Sequence, residues 1–225
     1  MDYEEHFDQS VELRNAFWST IGKIESDVLT HIINPAFMGG PAWPSLRQAF
    51  MKIDTPEGTI IASDGLSDPY SDFDENPDNQ KYNGLGCEFY LECDELMPDM
   101  ETMKTSWQFS VLYQAAQLAA GNPNIGGALD RYTFISTELY NCNVPDEFIN
   151  ADKRTGVLLN LKSEVVPATV ELSLEPVKMV NVKLLTLQEL EYITSNGAEG
   201  RVKIAGLIAK QGKTGRSSLE RESVV

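Results

Sequence analysis

The chain has 225 residues, 42% of them hydrophobic, enough for one large domain with a substantial core. Its 34 acidic residues against 18 basic ones give a formal charge of −16, which excludes a surface built to release counterions from nucleic acid and leaves room for a basic protein partner. No window approaches the roughly 18 consecutive apolar residues of a membrane helix, the start MDYEEHFDQS lacks the basic-then-apolar order of a secretion signal, and the odd set of Cys87, Cys93 and Cys142 forms no disulfide pattern, so a soluble, cytoplasmic protein with free thiols is expected.

From Tyr3 to Ile24, Phe7, Val11, Leu13, Phe17, Trp18 and Ile21 recur at three- and four-residue steps, the stripe of an amphipathic helix with an acidic first half. A short segment from Ile24 to Ile33 follows, with His31 expected in a helix and Asn34-Pro35 as its stop. Beyond the Gly39-Gly40-Pro41 loop and Trp43-Pro44-Ser45, Ala49, Met51 and Ile53 alternate with Gln48, Phe50 and Lys52, which predicts a strand. Thr55-Pro56-Glu57-Gly58 supplies a proline and a glycine in turn positions, so the chain should reverse into Thr59–Ala62 as a hairpin. Ser63 to Gly84 is too long for a plain turn, and loops of that length in compact domains are functional or disordered. Leu85, Cys87, Phe89, Leu91 and Cys93 then alternate with Glu88, Tyr90 and Glu92 in a third strand, whose polar face should line an acidic, partly aromatic groove. Cys87 and Cys93 lie about 20 Å apart at strand rise and cannot bond each other.

After Met97-Pro98-Asp99, a helix is expected from Glu101 to Ala120, burying Trp107, Val111, Leu112, Ala115 and Leu118 and ending at Gly121-Asn122-Pro123. Gly126 to Asp130 reads as a glycine-rich connection. Tyr132–Tyr140, Gly156–Leu161, Val170–Leu174 and Val177–Leu185 read as strands. Thr186-Leu187-Gln188-Glu189 has the form of a capping box, so a helix should start there and stop at Asn196-Gly197, before another from Glu199 to Lys210. Residues 1–212 are expected to form one domain and 213–225 a polar, loosely held tail whose Val224-Val225 could dock.

No complete catalytic or cofactor motif occurs. Asp72, Asp74, Asn76, Asp78, Gln80 and Asn83 follow the spacing of a calcium loop, but Pro77 stands where that loop needs glycine and Asn83 where it needs a bidentate glutamate. His6 and His31 have no second histidine at ligand spacing, and Cys142 has no identifiable base, so neither a metal nor a nucleophile is expected. Asp64, Asp68 and Glu88 could pair for acid/base chemistry or hold a small ligand or metal ion, whereas Asp64-Gly65 and Ser67-Asp68-Pro69 read more strongly as turn chemistry.

Trp43-Pro44-Ser45, Ser63-Asp64-Gly65-Leu66-Ser67-Asp68-Pro69, Gly86-Cys87-Glu88-Phe89-Tyr90-Leu91-Glu92, and the run Val182–Thr186 into Glu189–Ile193 together resemble the Suppressor of fused domain family, in particular its compact bacterial members. The resemblance covers most of residues 40 to 205 and implies an α/β fold, a mixed sheet flanked by helices, with room for one lobe. Animal members bind and restrain Gli-type transcription factors between two lobes, and bacterial relatives are suspected of neutralising toxins as immunity proteins. The resemblance therefore implies a non-enzymatic protein-interaction domain without cofactor, whose motif residues Trp43, Asp64, Ser67, Asp68, Glu88 and Tyr90 take part in binding. The acidic loop with Asp72, Asp74, Glu75 and Asp78 is expected to face a basic partner such as a toxin domain.

Overall fold

The computed structural model describes residues 1–122, 124–212 and 214–225; Pro123 of the expected helix stop and Lys213 of the expected tail lie outside the described residues. Helix α1 (Tyr3–Ser19) opens with a capping box: Asp2 accepts from the Glu5 amide at 3.0 Å and Glu5 accepts from the Asp2 amide at 3.2 Å. The helix does not reach Ile24. Strands β1 (Lys23–Ile24) and β2 (Leu29–Thr30) instead pair antiparallel with β3 (Ala49–Thr55), and His31 lies outside any helix. A short apolar run serves a sheet edge as readily as a helical face, and here the edge of β3 decides.

The predicted hairpin forms from β3 and β4 (Gly58–Asp64). Gly58 is required there: its φ is 149°, and an added Cβ would lie 2.0 Å from the Cys93 carbonyl oxygen. Strand β5 (Cys87–Cys93) continues the sheet. The single helix expected from Glu101 to Ala120 is two, α2 (Met100–Thr105) and α3 (Trp107–Ala120), because Ser106 is extended and its hydroxyl accepts from the Phe109 amide at 3.1 Å. Leu118, counted into the buried stripe, is exposed. The glycine-rich connection is helical in α4 (Ile125–Arg131). Strands β6 (Ile135–Tyr140), β7 (Arg154–Leu159), β8 (Thr169–Glu171, shorter than expected) and β9 (Pro176–Leu184) follow. Helix α5 (Leu187–Gln211) starts on the predicted capping box and is broken at Gly197, with φ 57° and ψ −129°, where the sequence places a stop.

The sheet runs β1-β3-β4-β5-β9-β7-β6, with β2 also on β3 and β8 also on β9. The β5–β9 pair is parallel and the other pairs are antiparallel, so the sheet is mixed. One face packs Phe50, Ile61, Phe89 and Val180 against Val111, Leu112 and Ala115 of α3, with Trp107 joining the same core as Phe89. The other face packs Met51, Ile53, Ile60 and Met179 under Trp18 of α1, and Leu158 and Leu185 under Leu190, Ile193 and Ile204 of α5.

The C-terminal segment is not loosely held. The Ser217 amide donates to the Glu92 carbonyl at 2.8 Å, Asn181 Nδ2 donates to the Gly215 carbonyl at 2.9 Å, and Arg221 clamps the Glu189 carboxylate at 2.5 and 2.6 Å. Glu189 is fully buried, so the segment supplies the cation that a buried carboxylate needs. Val224 packs beside α5.

Candidate functional site

The resemblance motif is gathered at one place inside the molecule. Helix α1 buries Ser10, Arg14 and Trp18, and Arg14 reaches the motif loop: Nε donates to Asp64 Oδ1 at 2.9 Å, Nη1 to Ser67 Oγ at 3.1 Å, and Nη2 to Asp68 Oδ1. Arg47 holds the opposite oxygens of both carboxylates and also donates to the Asp64 carbonyl at 3.2 Å. Ser45 Oγ donates to Asp68 Oδ2 at 2.8 Å. Glu88 accepts from the Gly65 and Ser67 amides at 3.0 and 2.9 Å, and from the Ser67 and Ser63 hydroxyls. Trp43 lies edge-on to Phe50 and lines the backbone at Gly65, whose φ is 141° and whose added Cβ would lie 2.4 Å from the Arg47 carbonyl oxygen.

Three carboxylates and two guanidiniums thus form a closed network with nearly all its bonding capacity used internally. Burial alone would raise the Asp64 carboxyl, but Arg14 and Arg47 overcome it and hold Asp64 below the ordinary carboxylate range. For Glu88 burial prevails, and with the Asp64 charge beside it raises the carboxyl despite Arg14 and the Ser63 and Ser67 hydroxyls.

Trp43, Asp64, Ser67, Asp68, Glu88 and Tyr90, the motif residues expected to take part in binding, are all buried in the unbound chain: none is more than 3% exposed. Glu88, Tyr90 and Glu92 do not line an open acidic groove, because all three are buried. Helix α1 lies on that face, with Trp18 edge-on to Tyr90 at 6.0 Å between ring centres. A polar strand face was read as an open one, whereas Glu88 is enclosed by the Gly65 and Ser67 amides and the Ser63 and Ser67 hydroxyls, and Glu92 is buried against the C-terminal segment, its carbonyl accepting from the Ser217 amide.

The acidic loop is ordered rather than merely solvated. Phe73 is buried and stacks against His6 at 5.1 Å, while Asn83 Oδ1 accepts from the Leu174 and Glu175 amides. Asp72 accepts from Asn79 and Asn76 side chains at 2.7 and 3.2 Å, Asp74 accepts from the Tyr3 amide at 3.2 Å, and Asp78 pairs with Lys81 at 3.3 Å. The carboxylates are engaged in separate turns and do not converge.

The open, uncharged surface lies elsewhere and was not singled out from the sequence. In the loop between β2 and β3, Ile32 is fully exposed, Phe37 is 73% exposed and Met38 79%, with Ile33 and Leu46 also outside. Asn34 ties this loop down by accepting from the Ala36 amide at 2.9 Å and donating to the Leu46 carbonyl. Leu46 is held at φ 61°, an unfavourable conformation for a leucine that only surrounding structure can maintain. The His31 ring stacks on Tyr113 of α3 at 5.4 Å, and Gln117 donates to Gln48 at 2.8 Å, which joins the loop to α3. No Asp or Glu occurs between Asp27 and Asp54, or between Glu101 and Asp130, so both segments of this surface are acid-free in a chain with 34 acidic residues. That gap in the charge pattern was the signal available in the sequence.

No family model and no curated protein sequence matches the chain. Its structure is similar to a chain of the Sufu-Fu complex crystal structure, with a TM-score of 0.55 and 13% identity over 97% of this chain and 92% of that one. It is also similar to Drosophila Suppressor of Fused, with a TM-score of 0.58 and 12% identity over 100% of this chain and 54% of that one. The chain therefore has the Suppressor of fused fold and spans about half the length of the Drosophila protein.

Proposed function

We propose that this chain is a non-catalytic protein-interaction module that grips a basic protein through the acid-free surface of the β2–β3 loop and α3, and that its partner is a toxin domain which it neutralises as an immunity protein. The observation that supports this reading is the set of large apolar side chains held in water at Ile32, Ile33, Phe37 and Met38. Soluble monomers rarely expose contiguous apolar groups without a binding role, and interfaces join an apolar centre to a polar rim. The acidic remainder of the molecule would speed association with a basic partner and repel acidic ones. A protein partner is also in keeping with the Sufu-Fu complex among the similar structures. The alternative use of Asp64, Asp68 and Glu88 for catalysis or ligand binding has no observation in its favour, because Arg14, Arg47 and the motif serines occupy their oxygens.

The test is capture of the partner from the native cell, identification of what is retained, and titration of the purified pair. Replacing Ile32→Asp together with Phe37→Asp should weaken binding by about tenfold or more per side chain if these are central anchors, with the melting temperature unchanged because both are outside the core. Equal affinity of the variant and the parent for the purified partner would remove the proposal.

A further inference from the structure

On the sheet face opposite α3, the second half of α5 stands away from the segment that follows β7, leaving a half-enclosed cavity of about 710 Å³. The reason for the gap is legible in the helix. Its wall is made by Val202, Ala205, Gly206 and Ala209, at the three- and four-residue steps of a single face, and three of the four are too small to reach across. Gly206 has no backbone reason to be glycine: it is not at positive φ, and an added Cβ would meet nothing within 4 Å. Glycine inside a helix costs about 1 kcal/mol relative to alanine, and what it leaves here is room.

Val166 and Ala168 form the facing wall, and Met179 of β9 with Tyr90 of β5 forms the floor. Voids larger than a water molecule are few in protein interiors, and ligand cavities fall at about 300–1,000 Å³ with apolar walls and a small number of polar groups. The polar groups here are sparse and distinct. Tyr90, Asn160 and Ser163 are among the polar residues that line the cavity. Among the described residues, Lys162, exposed at the margin, is the one charged residue of the lining and makes no ion pair.

We infer that this cavity binds a long-chain fatty carboxylate, with the hydrocarbon between α5 and the Val166–Ala168 segment and the carboxylate on Lys162. A ligand with many polar groups would leave them unpaired against alanine and valine, whereas one anionic end and an unbroken hydrocarbon match what the walls offer. Lys162 is a cation free for such an end in a molecule of net charge −16, which would otherwise repel a carboxylate.

The experiment titrates purified full-length protein with a dansyl-labelled undecanoate and displaces it with dodecanoate or with dodecanol. Saturable one-to-one binding displaced by dodecanoate is expected. Gly206→Leu, or Ala209→Leu should the first variant not fold, fills the space and should abolish binding with the melting temperature held or raised. Lys162→Ala should weaken dodecanoate about fivefold, the worth of an exposed charge pair, and leave dodecanol unchanged. The double variant Ile32→Asp with Phe37→Asp should bind the probe as the parent does. Absence of saturable binding, unchanged binding in both cavity-filled variants, or loss of binding in the double variant instead would each overturn the assignment.

Discussion

Arg14 lies on the same side of α1 as Trp18, four residues apart, where an amphipathic helix normally carries an apolar residue. A buried cation on such a stripe is informative in itself, because it needs carboxylates, and Asp64 and Asp68 are the ones it meets. Replacing Arg14→Met leaves both carboxylates in the interior with Arg47 as their remaining ion-pair partner, and should cost about 3–5 kcal/mol, the range for breaking a buried pair from one side. Urea unfolding checks it; a loss within the range of an ordinary surface substitution would contradict the network. Within this network, the Asp64 and Glu88 carboxyls are displaced in opposite directions and should respond to pH in opposite senses. Asp64 is held low in the folded state, so its contribution is present above the unfolded carboxylate value of about 3.9 and is lost as pH falls through the lower folded value. Glu88 is held high, so its contribution is present below the unfolded value of about 4.3 and is lost as pH rises through the raised folded value. Asp64→Asn should therefore lose stability relative to the parent at neutral pH and approach it in acid, while Glu88→Gln should gain on the parent as pH rises toward neutrality. Parallel stability curves for both variants would sink this account.

Among the elements, the hairpin, β5 and the two-part α5 were legible because each is fixed by local chemistry: alternation of Phe50 and Phe89 with their neighbours, the close approach at Gly58, the Thr186–Glu189 box and Gly197. Of the misread elements, two depend on distant partners and one on a local cap. The Ile24–Ile33 segment follows the edge of β3, and the run through Ser106 breaks because a serine hydroxyl caps the next helix. The C-terminal segment looked polar and free because its partners, Glu92, Lys183 and Glu189, lie on strands and a helix far away in sequence. Truncation after Gly212 tests this placement. It removes the Arg221 clamp from the buried Glu189 and the Arg216 carbonyl that accepts from buried Lys183, so it should destabilise the fold by several kcal/mol. Harmless truncation, read by the urea midpoint, would restore the picture of a loose tail. Lys183 adds a pH signature: burial, with Arg221 nearby, pushes its amine down to about 7. A lysine so lowered favours the folded state above its unfolded value of about 10.4, and that contribution is lost as pH falls through about 7.

At the scale of the whole molecule, the motif that carries the family resemblance and the surface proposed for a partner are different places, which is why the sequence led to the fold more directly than to a candidate site. Residues such as Asp64, Ser67, Asp68 and Glu88 are specific because they must satisfy one another in the interior, whereas an exposed Phe37 or Met38 obeys no spacing rule. The charge map then separates two contributions to binding. A protein of net charge −16 attracts a basic partner over distances on the order of the Debye length of about 8–10 Å, an attraction that salt weakens, whereas apolar contact at Ile32 and Phe37 acts only once the surfaces meet. Replacing Asp72, Asp74, Glu75 and Asp78 together with Asn or Gln should slow association at low salt, have little effect at high salt, and leave dissociation nearly unchanged. Replacing Ile32→Asp and Phe37→Asp should chiefly speed dissociation, since hot-spot contacts act through the off-rate. Stopped-flow association and surface-bound dissociation of the purified pair, at two salt concentrations, read the two effects apart. If the loop variant dissociates faster at high salt while its association rate is unchanged, the acidic loop itself lies in the contact and the assignment of the interface to the acid-free surface falls.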